Sequence, residues 1–257
     1  MSWRPVDCHA HSIFSDGDLT PAAVAARAAA LGVRGSVSDH ISRDVARSIT
    51  EIDGVREYLD ALEPLDLLRG GEFCWHDHLW RELPDDLVRR FTHRIGSLHA
   101  VRMPDGSLVH AFSRKLKPEL AADEYMRAHV ASFEQLTRDM PVDIVAHPTL
   151  VTIQFRGLDV DELWTEEHET RMVDALFAAG AAFEISSRYP PHARLVRRAV
   201  ERGVRISLGS DGHTRAQVCD VSRPLAMARG LGVRDEDLYD PTRHGSKTGA
   251  ERAARAG

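Results

Sequence analysis

The chain has 257 residues, with 33 Lys and Arg against 39 Asp and Glu, a formal charge of −6 that argues against a dedicated nucleic-acid or anionic-membrane binder. Its length suffices for a sizeable core and matches a single α/β barrel as well as two small domains. Cys8, Cys74 and Cys219 form an odd set without C-x-x-C spacing, which points away from a disulfide-linked partner and toward a reducing, cytoplasmic setting.

The start, MSWRPVDCHAHS, is too polar for a signal peptide, and no apolar run approaches the roughly 20 residues of a membrane span. Pro5 to Cys8 reads as the first strand, followed by a turn and by Thr20-Pro21, a good helix start for the Ala-rich stretch up to about Gly32. Further strands are expected at Val33–Ser38, Leu65–Phe73, Arg94–Leu98, Val142–Ala146, Ala181–Ile185 and Val204–Leu208. Helical patterns fall between them at about Ile49–Leu62, Asp85–Thr92, Ala121–Arg138, Val160–Ala179, Ala193–Gly203 and Val221–Gly230. Pro104-Asp105-Gly106 marks a hairpin turn in the long segment after His99. From about Asp235 the sequence carries no strand signal, so residues 1–234 are expected to form one domain and 235–257 a fraying or surface tail.

Seven strands alternating with helices predict a parallel sheet. The polar residues favour a closed barrel over an open sheet, because a barrel gathers functional groups at the carboxyl ends of many strands. Strand ends carry His9 and His11, His40, Glu72, His99, His147, and Asp211 with His213; only the sixth, ending in Ser186-Ser187-Arg188, lacks such a residue. His9 and His11 are two apart and face the same side of an extended chain. Asp16, in a Ser-Asp-Gly turn, can fold back over them. Nine nitrogen and oxygen ligands exceed what one ion uses, so two or three divalent ions are expected. A lone H-x-H is a weak signal; the repeated placement at strand ends is what makes this one informative.

The ordered signature D-x-H-x-H-S, SDG, SDH, GGE, GSLH, AHP, SDGH over residues 7–213 resembles the polymerase and histidinol phosphatase (PHP) superfamily. That resemblance implies a distorted (β/α)7 barrel of TIM-like, PHP type with a trinuclear centre of Zn, Mn or Fe. It assigns His9, His11, Glu72 and Asp211 to one metal, Asp16, His40 and His213 to a second, and Glu72, His99 and His147 to a third. Clustered ions suit phosphoester hydrolysis, since a metal-bridging hydroxide can attack a charge-neutralised phosphoryl group. The expected activity is hydrolysis of a small phosphomonoester, histidinol-phosphatase-like, with Asp211 or His213 doubling as proton shuttle. A nucleotide or oligonucleotide substrate is the alternative within the superfamily, so nucleic acid enters only as a substrate. An amidohydrolase-type C–N hydrolase, also opening with H-x-H, is disfavoured because no Lys ends the fourth strand.

Arg188, at the one strand end without a ligand, is the first candidate for phosphate binding, and Arg215 the second. The 100–138 segment, with Arg114, Lys115 and Lys117, is a candidate lid, and Phe112 or Tyr125 a candidate pocket wall. Cys8 is expected to point away from the metals. His76 and His78 form a second H-x-H beyond the strand end, among polar loop residues, and are not expected to touch substrate; His110, His129, His168, His192 and His244 lack a partner motif, and surface or helix-capping roles are expected for them.

Overall fold

A computed structural model describes residues 4–115 and 117–244. Six parallel strands lie in the order Ile206–Gly209, Ala182–Ser186, Ile144–Val145, Ile95–Ser97, Glu72–Cys74, His40–Ile41. Their register aligns Ile206 with Phe183, Ala182 with Ile144, Ile144 with Ile95, Ile95 with Glu72, and Glu72 with His40. The second and third segments pair twice, at Ser36–Val37 with Leu68–Arg69 and again at the site end. Between the two pairings Gly70 brings its backbone against Ser38, where an added Cβ would lie 2.0 Å from the hydroxyl oxygen.

Residues 5–11 run between the second and last segments of the sheet. On one side Arg34 N donates to Pro5 O, Asp7 N to Arg34 O and Ser38 N to Ala10 O. On the other, Cys8 N donates to Leu208 O, Asp211 N to His9 O and His11 N to Gly212 O. Single bonds and isolated bridges therefore span the gap, with no continuous ladder. The first segment, expected as a strand, is irregular because the buried Asp7 carboxylate competes for backbone donors: it accepts from His9 N, Ser210 N and Cys219 N. The result is the distorted (β/α) barrel expected, open along one seam.

The helices follow the expected order with local changes. Pro21–Leu31 is capped by Thr20 and ends at Gly32, whose φ of 66° is one that glycine adopts freely. The stretch expected as one helix over 160–179 is two, Val160–Leu163 and Glu166–Ala179, because Thr165 and His168 form a capping box that starts the second. Asp85–Val88 is a single turn, and short helices at Leu79–Glu82 and Ile153–Phe155 carried no expectation. Ala100–Arg102 and Leu108–His110 form the hairpin around Gly106.

The main core lies between sheet and helices, with Tyr58, Phe73, Phe133 and Phe183 fully enclosed. A second cluster, of Val6, Cys8, Ile95, Ile144, Ala146, Ala182 and Tyr239, fills the barrel below the histidines. Its last member corrects the expectation for the tail. Residues 235–244 are docked: Tyr239 is buried with its N–H on Ile206 O, and Arg34 pairs with Asp240 at 2.6 Å. Residues 245–257 lie outside those described. Among the described residues no helix is long and apolar enough to cross a membrane.

Candidate metal centre

All nine side chains expected as ligands converge at the carboxyl end of the sheet. Glu72 is central. Its Oε2 lies 3.4 Å from His9 Nε2, 3.7 Å from His11 Nε2 and 2.6 Å from His40 Nδ1, while Oε1 lies 3.1 Å from His147 Nε2 and 3.4 Å from His99 Nε2. His11 Nε2 is 3.5 Å from Asp211 Oδ1, and Asp16 Oδ1 lies 3.1 Å from His213 Nε2 and 3.6 Å from His40 Nε2. Three sets have ligand atoms within 4.8 Å of one another: His11, Asp16, His40 and His213; His9, His11 and Asp211; His40, Glu72 and His99. His40 and His11 each belong to two of them and meet in the first, a sharing the resemblance did not imply.

The atoms present suit divalent cations. His9 Nδ1 donates to Glu184 Oε1 at 2.7 Å, which in the neutral ring leaves the Nε2 lone pair facing the cluster. That Nε2 sits 3.1 Å from His11 Nε2, a separation two lone pairs tolerate only with a cation or proton between them. His147 Nδ1 and Asp211 Oδ2 are buried without a hydrogen-bond partner. His147 and Asp211 hold positive φ, 29° and 48°, values costly for non-glycine residues and tolerated mainly where function fixes the backbone.

Groups that position these ligands escaped the sequence reading. Glu184, fully buried in the sixth strand, accepts from His9 with one oxygen and from His147 N at 2.7 Å with the other. Gly209 makes room for it: an added Cβ would lie 2.1 Å from Glu184 Oε1. Ser97 donates to Glu72 Oε1, Cys74 Sγ lies 3.0 Å from His99 Nδ1, and Asp39 accepts from Ser12 N and the Ser12 hydroxyl, fixing the loop after His11. The sixth strand, which shows no ligand at its end, thus supplies an orienting carboxylate from its middle.

Electrostatics reflect this crowding. Burial opposes ionisation of Glu72, but the charges of His40, His9 and His99 outweigh it and hold the carboxyl well below its usual range. Burial disfavours protonated His9 too, yet Glu184 and Glu72 raise its pKa well above normal. Burial and the neighbouring His40 lower His11 to about 3. His99 is pushed up to about 10, against its burial, by Cys74 and Glu72. In the metal-free protein the cluster thus holds protons that cations would displace.

Seven of the nine, all but the enclosed His9 and His11, form the floor of a cleft of about 260 Å³ walled by Val45, Phe112, Arg188 and Tyr189. Arg188 Nη1 lies 2.5 Å from His213 Nδ1, and the Phe112 ring centre is 5.7 Å from that of His99. Arg156 lies over both Phe112 and Tyr189 and bonds Ala111 O, bracing the wall from behind. Arg215 is exposed and does not line the cleft, because the turn after His213 carries it outward. Tyr125 is core, its hydroxyl accepting from Thr152 N, so it is not a wall residue. Arg114, Lys115 and Lys117 are also absent from the lining, and the 122–139 part of the expected lid is a helix packed in the core. His168 and His192 cap helices as expected, and Cys8 lies in the apolar cluster beneath the site.

Fold and site together define a distorted parallel barrel with a histidine-rich centre at the carboxyl ends of its strands, the architecture that the PHP resemblance implies. Similar solved structures carry the same fold. A histidinol phosphate phosphatase from Lactococcus lactis subsp. lactis Il1403, complexed with zinc, L-histidinol and phosphate, superposes with a TM-score of 0.67 at 16% identity, covering 91% of this chain and 95% of that one. A Listeria monocytogenes protein assigned as a histidinol phosphatase gives a TM-score of 0.69 at 17% identity, covering 84% of this chain and 97% of that one. No protein-family model and no curated protein matches the sequence.

Proposed function

We propose that the protein is a metal-dependent phosphoesterase that hydrolyses a small phosphomonoester, with histidinol phosphate the first substrate to test. The observation that carries this reading is the convergence of nine ligand-type side chains, seven of them lining one cleft and His9 and His11 enclosed beneath it, with an arginine in the cleft wall. The shared fold with a phosphatase complexed with zinc, L-histidinol and phosphate supports it. His9, His11 and Asp211 would hold one ion, Asp16, His40 and His213 another, and Glu72 with His99 and His147 a third. Bound divalent ions there supply positive charge against a phosphoryl group and acidify a water.

The chain's own residues supply the rest. Arg188 donates toward His213 Nδ1, while Asp211 O, 2.9 Å from the same nitrogen, needs a proton from it. One ring nitrogen cannot serve both. A phosphate oxygen that draws the guanidinium aside relieves the conflict, leaving His213 to donate to Asp211 O and present Nε2 to the site. Arg188 is therefore the phosphate anchor, and the Phe112–Tyr189 wall, stiffened by Arg156, faces the leaving group. Asp211 and His213, both lining the cleft, would be the groups to pass a proton toward the departing alkoxide. The cleft volume lies just under the roughly 300–1,000 Å³ usual for ligand pockets, which favours a compact substrate over a polynucleotide.

Metal-loaded protein, assayed with Mn²⁺, Fe²⁺ and Zn²⁺ separately on histidinol phosphate, nucleoside phosphates and sugar phosphates, tests this, with Glu72→Ala as control. Hydrolysis lost in the control is expected; no hydrolysis of any phosphoester with any metal overturns the proposal.

A further inference from the structure

Beside the cleft a second group of ligand-type side chains meets from three separate elements: Asp44 from the 42–48 loop, His76 from just beyond the Glu72–Cys74 strand, and His110 from the end of the hairpin. His76 Nε2 is 2.6 Å and His110 Nδ1 3.4 Å from the same oxygen, Asp44 Oδ2, and the two rings are 5.8 Å apart and nearly perpendicular. We propose that Asp44, His76 and His110 form a separate site for a divalent ion of the zinc class, distinct from the nine-ligand centre.

The geometry distinguishes this from an ordinary aspartate–histidine hydrogen bond. One proton between His76 and Asp44 satisfies that pair and leaves His110 facing the carboxylate without a hydrogen bond. A metal with ligand bonds of about 2.1 Å in tetrahedral arrangement sets its ligand atoms about 3.4 Å apart, the separation His110 already shows from Asp44. The His76–Asp44 contact has to open. The His76 side chain is 2% exposed, and its other nitrogen, Nδ1, is buried without a partner. Asp44 and His110 are half-exposed, 41% and 42%, so an ion reaches the site from solvent and keeps an open position there. Two imidazoles and one carboxylate suit Zn²⁺ and Co²⁺ over the harder Mg²⁺ and Ca²⁺.

The consequence is mechanical. Val45 follows Asp44 and Phe112 lies two residues beyond His110, and both wall the main cleft. An ion shared by Asp44, His76 and His110 fastens loop, strand end and hairpin together at its mouth. This does not depend on the phosphoesterase reading, because the experiment measures metal and not turnover.

The test uses the full chain with Co²⁺ as probe, followed by visible absorption and by metal content after gel filtration. His110→Ala and Asp44→Asn, both at half-exposed positions, are each expected to lose one bound equivalent relative to wild type, or to bind it at least 10-fold more weakly. Glu72→Ala is expected to retain that equivalent. His110→Cys keeps a ligand and is expected to add a thiolate-to-cobalt absorption band. Wild-type stoichiometry and affinity in both His110→Ala and Asp44→Asn, with circular dichroism showing them folded, overturns the proposal. So does His110→Cys without the new band.

Discussion

Glu184→Gln offers the sharpest probe of how the centre is held together. Glu184 is not among the nine ligands, yet its two oxygens accept from His9 Nδ1 and His147 N, each at 2.7 Å and fully buried. Glutamine keeps the shape and one acceptor oxygen. Its amide NH2 must face either His9 Nδ1 or the His147 N–H, so one donor meets another. A buried hydrogen bond to a charged group contributes about 1.5–3 kcal/mol, and loss of a carboxylate that orients a metal-binding imidazole weakens metal affinity by about 10–100-fold, about 1.4–2.8 kcal/mol. The two figures agree. Chelator competition with Zn²⁺ or Mn²⁺ is therefore expected to show a 10–100-fold weaker dissociation constant for the tightest ion in Glu184→Gln, with helix content unchanged by circular dichroism. Gly209→Ala, whose new methyl group would press on the same carboxylate, is expected to act in the same direction. Wild-type metal affinity in both variants would refute the idea that the sixth strand positions the centre.

Other expectations follow from groups outside the centre. His93 is fully buried with Nε2 2.7 Å from Cys8 O, and burial lowers its pKa from 6.5 to about 4. The unfolded chain binds that proton first, so stability is complete above pH 6.5 and falls between there and pH 4, by about 3 kcal/mol for this group. Urea titrations of wild type and His93→Gln across that range measure it; an equal acid slope in both contradicts the assignment. Removing residues 235–257 strips Tyr239 from the barrel floor and breaks the Arg34–Asp240 pair, and is expected to cost about 2–4 kcal/mol in thermal or urea unfolding. An unchanged unfolding midpoint would mean that the docked segment contributes nothing. Arg188→Met is expected to lower kcat/KM for a phosphomonoester by about 10–100-fold, mostly through KM, since it removes a charge-assisted contact to the phosphate. Steady-state kinetics decide, and an unchanged KM removes Arg188 from substrate binding.

The ligand positions were legible because each sits at the carboxyl end of an apolar run, where a parallel barrel places chemistry, and because H-x-H needs only local geometry to aim two rings together. Glu184 was hidden inside AAFEIS, although a carboxylate amid a buried strand has to be paired, and that was the available signal. The break at Trp164–Thr165 was overlooked because the apolar periodicity runs through it, while Thr165 already carried a helix-start signature. Nothing local in the sequence joins Asp44, His76 and His110, since loop, strand and hairpin must all fold before the three meet. Arg188 and Arg215 were indistinguishable as residue types. The Ser186 hydroxyl, which accepts from Arg188 N at 3.1 Å, fixes the turn that separates their fates.

The centre is not uniformly deep. His9 and His11 are wholly enclosed, whereas Asp16 is 28% and His213 14% exposed at the rim. Ions held as proposed would then differ in lifetime more than in affinity. The outer one would trade with solvent at the rim, and the inner one, enclosed by His9 and His11, would leave more slowly. Replenishment would run in the reverse order, so a preparation starved of metal would empty from the rim inward, losing first the ion beside Arg188.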